Sequence, residues 1–176
     1  AMIATGLVLW TVKRREKLKR SGEPSFGLLL VERLNIGTVV GLPIAIAAYF
    51  WANRLIPAGV EGRAAWEAHA MFIAWTGMLL HPIFRPVQRA WIEQCWLATA
   101  VFGLLPMLNA LTTNRHLAAS LAQGDWVLAG FDLTMLAFGA AFGCTAWMLS
   151  RRARDRVTRH ETLLSFAACK NAEPAE

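Results

Sequence analysis

Charged residues are scarce in this chain. They make up 17% of its 176 residues, whereas hydrophobic residues make up 56% and the mean hydropathy is +0.38. An ordinary soluble domain carries about 25% charged residues. A soluble fold of this size cannot bury so much apolar side chain, but a lipid bilayer accommodates it. The composition therefore predicts an integral membrane protein.

Cysteine is scarce as well, since the chain has only Cys95, Cys144 and Cys169. The absence of any Cys-x-x-Cys pair argues against zinc ribbons and thioredoxin chemistry, and the absence of Cys-x-x-Cys-His excludes covalent c-type haem. The sequence also lacks a phosphate-binding loop, a Rossmann fingerprint, a catalytic triad and a metalloprotease motif. The function classes that depend on those motifs are therefore not indicated.

What the chain does contain is five apolar stretches, at residues 1–12, 34–55, 64–81, 90–111 and 126–150. A membrane span needs about 20 residues, so the first stretch is expected to be the end of a helix that begins elsewhere. The chain is then a fragment, or one polypeptide of a larger whole. We expect an all-α fold, a polytopic transmembrane helix bundle with four full spans plus the end of a fifth. Residues 1–155 would form the bundle and residues 156–176 a polar cytoplasmic tail.

The positive charges are clustered beside the apolar stretches. The net charge is +6, and fifteen of the eighteen Lys and Arg residues fall on one side of the expected bundle. Basic residues in short loops mark the cytoplasmic side of a membrane protein. The pattern predicts a multi-pass protein with a cytoplasmic C-terminus, and it argues against nucleic acid as the partner of these charges.

Glycine and proline residues occur within the apolar stretches. Gly37-x-x-x-Gly41 and Gly139-x-x-x-Gly143 have the spacing that allows helix backbones to approach closely. Pro43 is expected to kink the helix in which it lies.

Two histidines, His69 and His81, lie twelve residues apart in one apolar stretch. On a helix they are separated by about 18 Å along the axis and by about 120° around it. One imidazole would lie near each membrane face, as a two-haem electron path requires. The alternative is a pair of interfacial histidines bonded to headgroups or backbone. Trp75, midway between them, either lines a haem edge or packs against neighbouring helices.

An acidic residue, Asp132, falls at membrane depth. Intramembrane carboxylates are commonly functional. Asp132 alternatively pairs with Arg115 or accepts a hydrogen bond from Thr112 or Thr113. Arg115 and His116, in an outer loop, together with Asp132 form a possible substrate face.

The order of several short motifs resembles the PepSY-associated transmembrane family of bacterial inner-membrane proteins. The motifs are Thr5-Gly6-Leu7-Val8-Leu9-Trp10 before Lys13-Arg14-Arg15, Arg33-Leu34-Asn35-Ile36-Gly37, His81-Pro82, Leu105-Pro106-x-Leu108-Asn109, and Gly124-Asp125 leading to Asp132. The family includes haem-containing ferric-siderophore reductases. The resemblance implies that this chain is the C-terminal half of such a protein, with the remaining haem ligands on an N-terminal half.

The resemblance implies a membrane di-haem b-type reductase, with His69 and His81 as axial ligands of an outer and an inner haem. Electrons from a cytoplasmic donor or a membrane quinol would cross the bacterial inner membrane and reduce a ferric siderophore, releasing its iron. Two other functions remain open. A non-redox permease subunit would carry an aqueous cavity near Asp132, Asn109 and Arg115. A structural subunit would depend on its glycine faces and not on its histidines.

Overall fold

The computed structural model of this protein describes residues 2–21, 26–112 and 126–171. Every regular element in these ranges is helical, which confirms the all-α expectation. The elements are α1 (Met2–Ser21), α2 (Phe26–Val39), α3 (Gly41–Leu55), α4 (Arg63–Leu80), a 3-10 turn (His81–Ile83), α5 (Val87–Gly103), α6 (Leu105–Thr112) and α7 (Trp126–Asn171).

Two interruptions divide long helical paths, and each precedes a proline. Proline has no N–H, so the carbonyl four residues earlier receives no helical hydrogen bond. The path from α2 to α3 breaks at Val40, shortly before Pro43, and the path from α5 to α6 breaks at Leu104, shortly before Pro106. Helical hydrogen bonds nevertheless continue across Val40, whose N donates to Ile36 O at 3.0 Å, so the kink expected at Pro43 stays a prediction.

Three helical stretches are long and apolar enough to cross a membrane: Phe26–Leu55, Val87–Thr112 and Ala129–Leu163. This indicates a membrane protein, although with three such stretches rather than four full spans and the end of a fifth. The helix α4 falls short because Arg63, Glu67 and His69 lower the hydropathy of its first two turns. The helix α1 falls short because basic residues fill its second half.

Several boundaries also differ from the expected ones. The first long stretch begins at Phe26 rather than at residue 34, because residues 26–33 continue the same helix. The helix α7 does not stop at residue 150 but runs to Asn171. The part of the expected polar tail that the structure describes is therefore a helical extension of the last span.

Glycines bring the first long stretch against α4. A Cβ atom added to Gly37 would lie 2.7 Å from Leu79 Cα, and one added to Gly41 would lie 2.6 Å from Met78 Cβ. Carbon atoms do not approach so closely, so any larger residue would push the helices apart. The expectation of a close-packing face at these two glycines is confirmed.

The second pair of glycines brings α7 against α5. A Cβ added to Gly139 would lie 3.2 Å from Gly103 N, and one added to Gly143 would lie 3.2 Å from Thr99 Cγ2. Positions rise on α7 as they fall on α5, so the two helices are antiparallel. This second glycine face is confirmed as a packing surface.

The antiparallel arrangement puts the basic segments at one end of the bundle. The start of α5 lies beside the part of α7 that leads into Arg151, and Arg33 Nη1 donates to Ile83 O at 2.9 Å, which joins α2 to the turn after α4. We call this end, which carries Arg33, Arg85, Arg89 and Arg151, the basic side.

The core lies where α3, α5, α6 and α7 meet. It is built from small and medium-sized side chains that leave little space between the helices, and Trp51 Nε1 donates to Val101 O at 3.0 Å across it. The buried core residues are Val40, Ile44, Ala47, Cys95, Ala98, Phe102, Leu105, Met135 and Ala146. This core joins α3, α5, α6 and α7 to one another.

Replacing Gly37 with alanine tests the close approach of α2 to α4. The new methyl group collides with the backbone of Leu79, so we expect a loss of about 1–3 kcal/mol in unfolding free energy. The matched control is Gly77→Ala on α4, where a Cβ meets no atom within 4 Å. Thermal unfolding in detergent measures both variants, and equal midpoints would contradict this packing.

Candidate functional site

His69 lies on an outward face of α4, far from the basic side. Its imidazole is exposed, and so are Ile73 and Leu80, which follow on the same helix face. Helix residues that are four or eleven positions apart, as Ile73 and Leu80 are from His69, point in nearly the same direction. Ile73 is 72% exposed, so this face of α4 is apolar and uncovered by the described helices.

A pocket of about 370 Å³ surrounds the His69 imidazole. It is lined by Ile56, Val60, Trp66, His69, Ala70 and Ile73, so the imidazole is almost its only polar group. The indole of Trp66 meets the imidazole edge to face, with 6.0 Å between ring centroids. Among the described residues no hydrogen-bond partner to His69 is present, so both ring nitrogens remain available to a ligand.

His81 is in a different environment, at the basic side. Its Nε2 lies 3.0 Å from Glu93 Oε2, and Arg85 Nε lies 3.5 Å from the same carboxylate oxygen. The contact between the imidazole and the carboxylate is close but is not a hydrogen bond, because Glu93 Oε2 finds no hydrogen-bond partner among the described residues. The Nδ1 atom of His81 is buried and also finds none there. The 120° expected between the two histidines matches this division, since one faces outward and the other faces α5.

The two histidines differ in how well they fit a haem. His69 presents a free imidazole against an apolar wall, which suits an axial ligand and one porphyrin face. The Nε2 of His81 is occupied by Glu93. Its Nδ1 adjoins the ring carbon that carries the side chain, so a porphyrin bound there would collide with the residue itself. The arrangement therefore suits haem ligation at His69 and does not suit it at His81.

Trp75, the expected haem-edge residue, lies six positions from each histidine. It is half-buried and is not among the residues that line the His69 pocket. Its indole Nε1 is buried and finds no hydrogen-bond partner in the part of the chain that the structure describes.

Asp132 lies deep between α6 and α7. It is 4% exposed, and its Oδ1 accepts a hydrogen bond from Asn109 Nδ2 at 2.8 Å. Of the alternatives considered for this carboxylate, Thr112 instead donates to Leu108 O. Arg115, His116 and Thr113 lie outside the described residues. The Asn109 amide thus joins the two helices to each other, as expected of an asparagine at membrane depth.

Two further polar groups are buried, although Glu67 was expected to reach water near the end of its helix. Glu67 is buried, lies 2.8 Å from Arg63 Nε, and accepts from Asn53 Nδ2 at 3.1 Å, which ties the end of α3 to the start of α4. Gln94 is also buried, and its Nε2 donates to Met78 O at 2.7 Å. No sequence motif predicts these two contacts between helices, because each depends on which helices are neighbours.

The Asn109–Asp132 contact predicts a stability pattern. Asn109→Leu leaves the carboxylate without its amide donor, so we expect a loss of about 1–3 kcal/mol in unfolding free energy. The double variant Asn109→Leu with Asp132→Leu removes both partners and is expected to lose less than the single variant. Thr134→Ala on the exposed face of α7 is the control. Thermal unfolding that ranks the double variant lowest would contradict the pairing.

Comparison with known proteins gives one relative and no named family. The chain is 27% identical over 153 residues to an uncharacterized protein of Pseudomonas aeruginosa, and the match covers 86% of this chain and 35% of that protein. The chain therefore spans about a third of the relative's length. No family model matches the chain, and no solved structure matches it. Since the relative is uncharacterized, the similarity adds no activity to the geometry of the two histidines.

Proposed function

We propose that this chain is part of a haem b-dependent reductase of a bacterial inner membrane, which passes electrons to a ferric siderophore. One observation carries the proposal: the His69 imidazole is exposed and unpaired in an apolar pocket on the outward face of α4. An exposed imidazole can bind a ligand without first breaking a contact, and the apolar side chains around it suit one face of a porphyrin. The resemblance to the PepSY-associated transmembrane family supplies the identity of that ligand.

The residues around His69 have separate roles in this proposal. His69 is the axial ligand, and Trp66 limits the orientation of its ring. Ile56, Val60 and Ile73 exclude water from the same side. A bound haem b supplies one-electron reduction and oxidation. Burial and axial ligation are the means by which a protein sets its potential. The second axial ligand comes from outside the described residues, as expected if the rest of the protein covers this face.

The proposal assigns one haem to this chain rather than two. The sequence expectation gave His81 a second haem, but its Nε2 is paired with Glu93 at 3.0 Å. His81 would instead lie on the side of the protein where electrons enter from a cytoplasmic donor or a membrane quinol. A siderophore would be reduced on the opposite side, near His69. The possible substrate face of Arg115, His116 and Asp132 would lie on that same side. Ferrous iron is held less tightly by hard oxygen ligands than ferric iron, so reduction releases the metal.

We further propose that α4 lies in the bilayer with the three apolar stretches. The helix packs along α3, with Asn53 bonded to Glu67 at one end and Gly41 against Met78 at the other. The two charged residues of its first two turns, Arg63 and Glu67, contact each other. A helix of 18 residues spans about 27 Å, close to the thickness of the hydrocarbon core.

An absorption spectrum tests the haem assignment. The full chain purified from membranes is expected to show b-type bands in the dithionite-reduced minus oxidised difference spectrum. His69→Ala is expected to lose the bands of the haem that it ligates, because no described residue replaces the imidazole. His81→Ala is the matched control on the same helix and is expected to keep them. Bands that survive His69→Ala, or wild-type protein without any, would contradict the proposal.

Fusion reporters test the proposed orientation. We expect green fluorescent protein to fluoresce when it is fused after Glu176, because the basic side faces the cytoplasm. Alkaline phosphatase inserted at residues 57–62, between α3 and α4, is expected to be active. The reverse result for both reporters would place the basic side outside.

A further inference from the structure

The antiparallel register of α5 and α7 determines which of their charged residues meet at the basic side. The two glycine contacts between these helices lie four residues apart on each helix. Ala146 and Ala153 continue the line of Gly139 along α7 at steps of seven residues; Ala146 is 0% exposed and Ala153 is half-buried. The same register brings Arg89 of α5 to the height of Ala153, and therefore beside Arg154.

Stacked aromatic rings mark the side of this helix contact that faces the core. Phe102 of α5 stacks on Phe138 and Phe142 of α7, with ring centroids 5.7 and 6.0 Å apart. Each of these phenylalanines directly precedes a glycine of the contact, so it lies about 100° to one side of that glycine. Residues turned the other way from the glycines therefore lie on the outer surface of the two helices.

Two tryptophans lie on that outer surface, one on each side of the groove between the helices. Trp147 follows Gly143 by four residues, and Trp96 precedes Gly103 by seven, which turns each indole by about 20–40° away from the stacked rings. Trp96 is 48% exposed and Trp147 is 47% exposed, and the register puts them at the same height. We call the groove that these two indoles line the outer groove.

Arginines follow both tryptophans toward the basic side. Arg89 lies seven residues before Trp96, and Arg154 lies seven residues after Trp147. Seven residues are nearly two helical turns and about 10 Å, so each arginine lies on the same helix face as its tryptophan. The guanidinium of Arg151 lies over the Trp147 ring, 4.4 Å from its centroid. Three cations therefore lie at the basic end of the outer groove.

The guanidinium groups of Arg89 and Arg154 have no acidic partner in the part of the chain that the structure describes. Both side chains are exposed, and neither makes an ion pair or a hydrogen bond there. Glu93, one turn from Arg89 on α5, instead lies 3.5 Å from Arg85 Nε, and Asp155 makes no ion pair with its neighbour Arg154. Like charges that helix packing brings together repel each other, and an anion between them relieves the repulsion.

The ligand that fits carries a phosphate on apolar chains. Two guanidinium groups bind phosphate oxygens through charge-assisted hydrogen bonds. Toward the middle of the helices, the exposed small residues Ala100 and Ala140 continue the outer groove beyond the two indoles, which leaves an apolar surface for acyl chains. Exposed tryptophans lie at headgroup level in membrane proteins. A free phosphate or an acidic soluble protein would contact the guanidinium groups but would leave the indoles uncovered.

We propose that the outer groove binds an acidic phospholipid, with its phosphate between Arg89 and Arg154 and its acyl chains along Trp96 and Trp147. Phosphatidylcholine also has a phosphate, but its quaternary ammonium would bring a further positive charge beside Arg151. The inference goes beyond the proposed reductase, because it requires neither a haem nor an electron donor. Neutralising the two guanidinium groups would favour the contact between α5 and α7 at the basic side.

Native mass spectrometry of the full chain in detergent tests the proposal. The probes are dioleoyl phosphatidylglycerol and dioleoyl phosphatidylcholine, which have the same acyl chains. Wild-type protein is expected to bind phosphatidylglycerol about tenfold more tightly. The double variant Arg89→Gln with Arg154→Gln is expected to reduce this preference to about twofold or less. The matched control, Arg152→Gln with Arg156→Gln, removes the same charge about 200° around α7 from Arg154 and is expected to keep the preference.

Equal affinity of the wild-type protein for the two lipids would overturn the proposal, and that comparison stands even where a variant fails to fold. An unchanged preference in the Arg89 and Arg154 double variant would overturn it as well. An equal loss in both double variants would assign the preference to general attraction by the basic side instead of the outer groove. Displacement of phosphatidylglycerol by millimolar inorganic phosphate would assign the guanidinium groups to a free anion and also overturn the proposal.

Discussion

Helix backbones approach each other closely at two faces of this protein, and the positions of both histidines depend on that approach. In a bilayer, apolar side chains gain little by leaving lipid for one another, so van der Waals contact between well-fitted helices supplies most of the packing energy. Gly37 and Gly41 let α4 lie against the first long stretch, while Gly139 and Gly143 let α7 lie against α5. With those contacts in place, α4 turns His69 outward and directs His81 toward α5.

The polar groups at membrane depth fall into two classes. Asn109 with Asp132, and Asn53 with Glu67, form hydrogen bonds that join neighbouring helices. Within the described part of the chain, Gln94 Oε1 and His81 Nδ1 are buried beside one pocket without a hydrogen-bond partner, whereas the exposed imidazole of His69 lies in another. Buried polar groups in folded proteins are usually hydrogen-bonded, so unpartnered ones need an explanation. The first class of groups holds the helices together.

Much of this arrangement was predictable from local pattern. Apolar stretches predicted the helices, and glycine spacing predicted both packing faces. The angular separation of His69 and His81 was also predictable, because it depends only on helix geometry. The pairing of His81 with Glu93 and the burial of Gln94 were not, since they depend on which side of α5 meets α4. The expected span at residues 64–81 included Glu67 and His69, whose polarity lowers its hydropathy below that of the other stretches. The helix α7 was expected to end too early because its basic extension was assumed to end the helix.

The central claim is that the apolar face of α4 around His69 holds a haem. An electron cryo-microscopy map of the protein in lipid nanodiscs tests it most directly. The account predicts planar density for a porphyrin beside Ile56 and Ile73, with its iron about 2 Å from a ring nitrogen of His69, the distance of an ordinary metal–imidazole bond. A map in which lipid or another helix covers this face, and the imidazole of His69 contacts no metal, would contradict it.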